Sequence, residues 1–208
     1  MIGNLFFKTK IPFSEDNFES IIRACIEHNQ NAQSLLYKQY FGFAKSVCLR
    51  YSSNPDEAKD ILNEGFLKVF NNLDKYLPEY SFKAWLRTII VNTAINYYRD
   101  NKKYNHEIGF DGSEEAIYDE DIISKISADE ILGLVQQLPP AYRTVFVMHV
   151  VDGYNHREIG EILGINEGTS RSNFAKARQK LQLLVQKEFP HLYENYRSEK
   201  EKTRQDEY

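Results

Sequence analysis

Cysteine is scarce in this chain: Cys25 and Cys48 are the only two among 208 residues. They form no C-x-x-C motif, and both fall on the apolar stripes of helical patterns. Two buried, reduced thiols are therefore expected rather than a disulfide framework. Long hydrophobic runs are missing too. Stretches such as TVFVMHVV break within about eight residues, so no segment is expected to span a bilayer. The opening MIGNLFFKTKIPFSED has no extended apolar stretch before a small-residue cleavage site. With reduced thiols, this predicts a cytoplasmic protein without a secretory leader. Absent as well are a His-x-x-x-His pair, a nucleophile–base set and a phosphate-cradling glycine loop. The acids at 119–121 and the pair Cys25/His28 stand without partners. These absences argue against catalysis, a bound metal, a cofactor or a small-molecule substrate.

What is present is a segregation of charge. The formal net charge is -4, yet residues 17–105 hold twelve basic against nine acidic residues, and residues 131–189 hold seven against five. Between them, residues 106–130 hold nine acids and one lysine. From Arg171 to Lys187 the chain carries five basic residues and no acid. An acidic stretch thus separates two mildly basic blocks, and the second block contains a basic strip.

Apolar residues recur at helical spacing through both blocks. Phe18, Ile21, Ile22, Cys25 and Ile26 make one stripe, with Ser14 as the expected N-cap; Leu35, Leu36, Tyr40, Phe43, Val47 and Tyr51 make a second. Asn54 caps a third helix, with Pro55 at its first position and two acids in its first turn. Pro78 sets LDKYLPEY as a loop, after which Ser81 opens a helix to about Lys103. Periodicity fades from 104 to 127 and resumes near Ala128, with two short helices expected on either side of Gly164. The fold class is all-α: two helical domains joined by an acidic flexible linker. The expected divisions are an extension at 1–16, a first domain at 17–104, the linker at 105–127, a second domain at 128–188 and a charged tail at 189–208.

HREIGEILGINEGTSRSNFAKARQKL carries the pattern of two helices crossing at a tight turn. Gly160 is small where they touch, Gly164 can take positive φ, and Asn166 can cap the second helix. Thr169, Arg171, Ser172, Asn173 and Lys176 are expected outward, with Arg157 and Arg178 flanking them. Arg suits guanine, Asn suits adenine and Lys suits phosphate, so this face fits a DNA major groove. The longer segment from Leu138 to Leu181 resembles the promoter-reading C-terminal domain of the extracytoplasmic-function sigma factors, in the bacterial sigma-70 family. Ser170 stands where the family usually has Val and Asn173 where it often has Arg. These departures are expected to loosen one core contact and to change the base read.

The first block resembles the same family. DEAKDILNEGFLKVFNNLDKY is similar to the sigma segment that docks on the clamp of the polymerase largest subunit. Asp60, Asn63, Glu64, Leu67 and Lys68 are the implied contacts, with Phe66, Val69 and Phe70 inward. YSFKAWLRTIIVNTAINYYRDNKK resembles the segment that reads and melts the minus-ten element. The resemblance implies roles for Tyr80, Ser81, Phe82, Lys83, Arg87, Asn92, Asn96, Tyr97 and Arg99. Asn92, Asn96 and Arg99 share one helical face, and Trp85 is expected in the core. In this family the connector runs through the polymerase cleft, where seven acids between Glu107 and Asp121 would imitate phosphates; a solvating spacer explains them equally. The resemblance implies core RNA polymerase and promoter DNA as partners, an anti-sigma factor (often membrane-anchored in this family), and no enzymatic activity. A stand-alone helix-turn-helix regulator is the alternative.

Overall fold

The computed structural model describes residues 13–101 and 126–192. Most of the expected extension, linker and tail lies outside them. Among the described residues, five of the eight α-helices begin at an asparagine whose side chain accepts a backbone N–H of the first turn, offsetting an orphan donor at each start. Helix α1 spans Phe18–Ile26, α2 Gln30–Tyr51 and α3 Pro55–Asn71. A 3₁₀ turn at Leu73–Lys75 leads to α4, Phe82–Asn101. Asn17, not Ser14, caps α1, its side chain accepting from the Ser20 N–H at 2.9 Å. Ser14 lies one turn too early; its carbonyl instead accepts from the Ser20 hydroxyl at 2.8 Å. The α1–α2 turn places His28 at φ 60°, a left-handed geometry unusual for a side-chain-bearing residue.

Helices α2, α3 and α4 bury a common core of Leu36, Ala44, Val47, Cys48, Ile61, Phe66, Leu86 and Ile90, with α1 laid across α2. Both cysteines are buried and free, and burial pushes their thiols up to about 11 for Cys25 and about 12 for Cys48. Thiolates are thus disfavoured, and these residues act as small hydrophobes.

Beyond Ile126, α5 spans Ala128–Gln136, α6 Pro140–Val150, α7 His156–Leu163 and α8 Glu167–Glu188. Ser127 and Glu130 close a reciprocal capping box at the start of α5. Only α7 is short. Helix α8 runs 22 residues, because nothing from Thr169 to Phe189 is Gly or Pro to stop it. The two halves touch: α5 and α6 lie on α2, and α6 meets α4. Val135, Val145, Val147 and Met148 belong to the same buried cluster as Val47 and Tyr51. Among the described residues no strand occurs, and no helix is long and apolar enough to cross a membrane.

Candidate nucleic-acid interface

The crossing of α7 and α8 is set by two glycines. Gly164 ends α7 at φ 65°, ψ 40°, the left-handed conformation that stops a helix and reverses the chain. At Gly160 a Cβ would sit 2.8 Å from the Ile165 carbonyl oxygen, so only hydrogen fits where the two helices meet. Asn155 and Glu158 box the start of α7, and Asn166 accepts from the Thr169 N–H at 2.6 Å to start α8.

Helix α8 then presents Arg171, Ser172 and Arg178 to solvent, with Thr169 and Lys176 half-buried beside them. Arg171 is paired with Glu167 one turn back, and Arg157 with Glu161 at 3.1 Å. All four side chains are well exposed, so these pairs exchange readily for phosphate or base edges. The Arg171 guanidinium, hydrogen-bonded to Glu167, holds that carboxyl below the usual range. Lys176 lies over the Tyr142 ring at 5.8 Å and Arg178 near Phe174 at 6.0 Å. Each cation thus lies within reach of an aromatic ring, an arrangement that favours its charge there.

Two positions differ from expectation. Asn173 is only 8 % exposed: it lies with Ser170 and Ala177 on the inward stripe of α8. Ser170 is fully buried, yet the contact there is not loosened, because its hydroxyl is hydrogen-bonded to His156 Nδ1 at 3.0 Å. The His156 ring stacks on His149 at 4.5 Å, and Phe174 packs against both. His149 Nδ1 donates to the Tyr154 carbonyl at 2.8 Å, since a carbonyl can only accept. Burial first, then the neighbouring His149 and Arg171, hold His156 below the ordinary imidazole range, against an opposing pull from Glu167. Ser170 and two imidazoles thus fill a place where the resembled family usually has Val.

In the first half, Asn92, Asn96 and Arg99 lie exposed on one face of α4, as their spacing predicts. Tyr97 beside them is half-buried, and burial, then Glu57 and Asp60 on α3, push its phenol up. The loop before α4 is held by the Tyr76 hydroxyl donating to the Tyr80 carbonyl at 2.7 Å, which leaves the Tyr80 ring 64 % exposed. Ser81 and Lys83 are exposed, and Lys83 sits over the Phe43 ring at 4.6 Å. Phe82, given a role in reading the minus-ten element by the resemblance, is instead turned inward. It is 4 % exposed and packs among Phe18, Tyr40, Tyr76 and Trp85 at ring distances of 4.8–5.6 Å. That aromatic cluster also takes the half-buried Trp85, so the base of the loop is rigid while its tip is open.

On α3, Asp60, Asn63, Glu64 and Leu67 are exposed and Lys68 is half-buried, bound to Glu64 at 3.0 Å. Leu67 is 58 % exposed in the middle of these polar groups, while Phe66 and Val69 point into the core. The face therefore combines carboxylates with one uncovered aliphatic side chain, a composition suited to a basic partner helix.

Sequence reasoning missed Tyr51, Arg87's anchor Asp152, and Arg143. Arg87 reaches the other half of the molecule, where it pairs with Asp152 and donates to the Val151 carbonyl at 3.2 Å. Arg143 is 2 % exposed. An arginine inside PPAYRTVFVM and an aspartate before a turn glycine give no local sign of burial; only distant partners create it.

Family models and curated relatives both match this chain to one kind of protein. The family model "Sigma-70 region 2" matches residues 36–104, and "Sigma-70, region 4" matches residues 128–181. The ECF RNA polymerase sigma factor SigW of Bacillus subtilis is 31% identical over 147 residues, covering 65% of this chain and 79% of that protein. SigE of Mycolicibacterium smegmatis is 29% identical over 155 residues, 70% of this chain but only 58% of that relative's length. Among solved structures, the sigma factor RpoE of Bartonella quintana, in complex with the anti-sigma factor NepR, matches with a TM-score of 0.44 at 19% identity, over 74% of this chain and 96% of that one.

Proposed function

Because the chain belongs to the ECF RNA polymerase sigma factors, we propose that it binds core RNA polymerase and directs it to promoters with its two DNA-facing surfaces. The observation that carries this is the pair of sigma regions, in order on one chain, each presenting an exposed face of the right chemistry. In this proposal α3 docks on the clamp of the largest subunit through Asp60, Asn63, Glu64, Leu67 and Lys68. The loop at 76–81 and the α4 face of Asn92, Asn96 and Arg99 hold the minus-ten strand: Tyr80 offers a ring for an unstacked base, and the amides offer hydrogen bonds. Helix α8 enters the major groove upstream with Arg171 and Ser172, while Arg157, Lys176 and Arg178 meet phosphates.

Each face is small, so tethering both to one polymerase raises the effective concentration of the second contact once the first has formed. The chain makes and breaks no bonds in this scheme; nucleotide addition belongs to the polymerase. A polymerase partner places its work in the cytoplasm, and an anti-sigma factor is the further expected partner. Transcription in vitro from genomic fragments, with core polymerase and with or without this protein, tests the proposal. Discrete start sites that require the protein are expected. Tight, sequence-specific binding of DNA by the protein alone, with no effect on polymerase, would favour a stand-alone regulator instead.

A further inference from the structure

Region 4 supplies the groups that finish a helix of region 2. The last carbonyls of α2 have no partner within the helix. Two of them are met by side chains more than 80 residues away: Gln136 Nε2 donates to the Leu49 carbonyl at 3.0 Å, and Arg143 Nε to the Tyr51 carbonyl at 3.0 Å. The same guanidinium donates to the Ser53 hydroxyl at 2.5 Å and, on its own side, to the Gln136 carbonyl at 2.9 Å. A positive charge thus sits at the negative end of α2, where the helix dipole favours it. Burial lowers the Arg143 pKa to about 10, so the group stays charged at neutral pH.

Asp152 makes the second link. Its side chain, 3% exposed, accepts from the Tyr51 hydroxyl and from Arg87 of α4. Arg87 is 37% exposed, so water and anions reach it from outside even while it is bound. Arg87 also belongs to the helix proposed to meet promoter DNA.

We propose that this seam is an intramolecular latch, in which Asp152 and Arg143 hold regions 2 and 4 closed in the free chain and Arg87 is withheld from DNA. A phosphate competing for Arg87 gains a charge-assisted bond. It leaves Asp152 buried without its cation, an arrangement that favours separation of the halves, where water can solvate the carboxylate. By linkage the effect is reciprocal: closure weakens DNA binding as much as DNA binding weakens closure. The link to DNA rests on the sigma reading; the closed form itself does not.

The test uses the full chain carrying a fluorescent dye pair at Gln39→Cys and Gln186→Cys, one exposed position in each half, the native thiols being buried. Single-molecule energy transfer is compared between this background and the same background with Tyr51→Phe and Asp152→Asn. A dominant compact population is expected in the first. In the second the closed-to-open ratio should fall roughly tenfold, with helical circular dichroism retained. The open variant should also bind a single-stranded minus-ten oligonucleotide several-fold tighter. Tyr51→Phe alone, which removes one hydroxyl, serves if the double variant loses helicity, and a smaller shift in the same direction is expected. Equal transfer populations in folded variants, or a background chain already open, would overturn the latch. A changed transfer ratio with unchanged oligonucleotide affinity would keep the latch and overturn its coupling to DNA.

Discussion

At the scale of single residues, side-chain polarity misled where spacing did not. From Asn166 the inward stripe of α8 falls at Ser170, Asn173 and Ala177, and all three are buried. Asn173 looked like an adenine reader because amides bind adenine, but its helical phase already placed it inside. Arg171 is both polar and outward, so it remains the candidate base reader. Arg171→Ala is expected to cost about 1–3 kcal/mol of promoter affinity and to relax selectivity at one base position, as read by competition gel shifts of the holoenzyme. An equal loss on every sequence would make it a phosphate contact. His156 makes a second prediction. Its pKa is lowered in the folded state, first by burial, so the unfolded chain binds the proton more readily. The resulting stability is present above the ordinary imidazole pKa of about 6.5 and is lost as pH falls below that value toward the lower folded one. Urea midpoints should therefore fall between neutral pH and about pH 5 by more in the native chain than in His156→Gln. Parallel falls would remove His156 from the cause.

At the scale of elements, much was legible because caps and breakers are local. Asn54 with Pro55, Asn166 and Gly164 each carry their reason in one or two neighbours, and each stands where its chemistry predicts. The length of α8 was less legible: a short helix was expected after Gly164, but the helix tolerates Gly168 and continues to Glu188. The Tyr80 loop was legible as a loop, yet the burial of Phe82 was not, since packing against Phe18 of α1, Tyr40 of α2 and Tyr76 draws it inward. Helix α3 offers the clearest element-level test. Asp60 and Glu64 lie one turn apart on its exposed face, so Asp60→Lys with Glu64→Lys should leave the melting temperature nearly unchanged, as surface substitutions do. Retention of core polymerase on the tagged protein should drop roughly tenfold or more. Undiminished co-purification would free this face from the clamp assignment.

At the scale of the whole molecule, two helical blocks were legible from the fading of periodicity after residue 104. Their contact was not, because its hydrogen bonds join residues 64 to 101 positions apart and no local pattern encodes such a pairing. The seam predicts that calorimetry of the full chain gives one cooperative endotherm, its van't Hoff and calorimetric enthalpies agreeing. Two resolved endotherms in the native chain would mean that the halves are energetically independent. The carbonyls of Leu49 and Tyr51 carry a practical corollary for anyone who dissects this protein. A fragment cut after Asn101 keeps the α2 sequence but loses Gln136 and Arg143, and Arg87 loses its carboxylate. Such a half-chain is a different molecule from the half it represents: its α2 terminus frays sooner, and its cationic surface is more available. Affinities for DNA measured on isolated fragments will therefore overstate what the undivided chain offers before it meets polymerase.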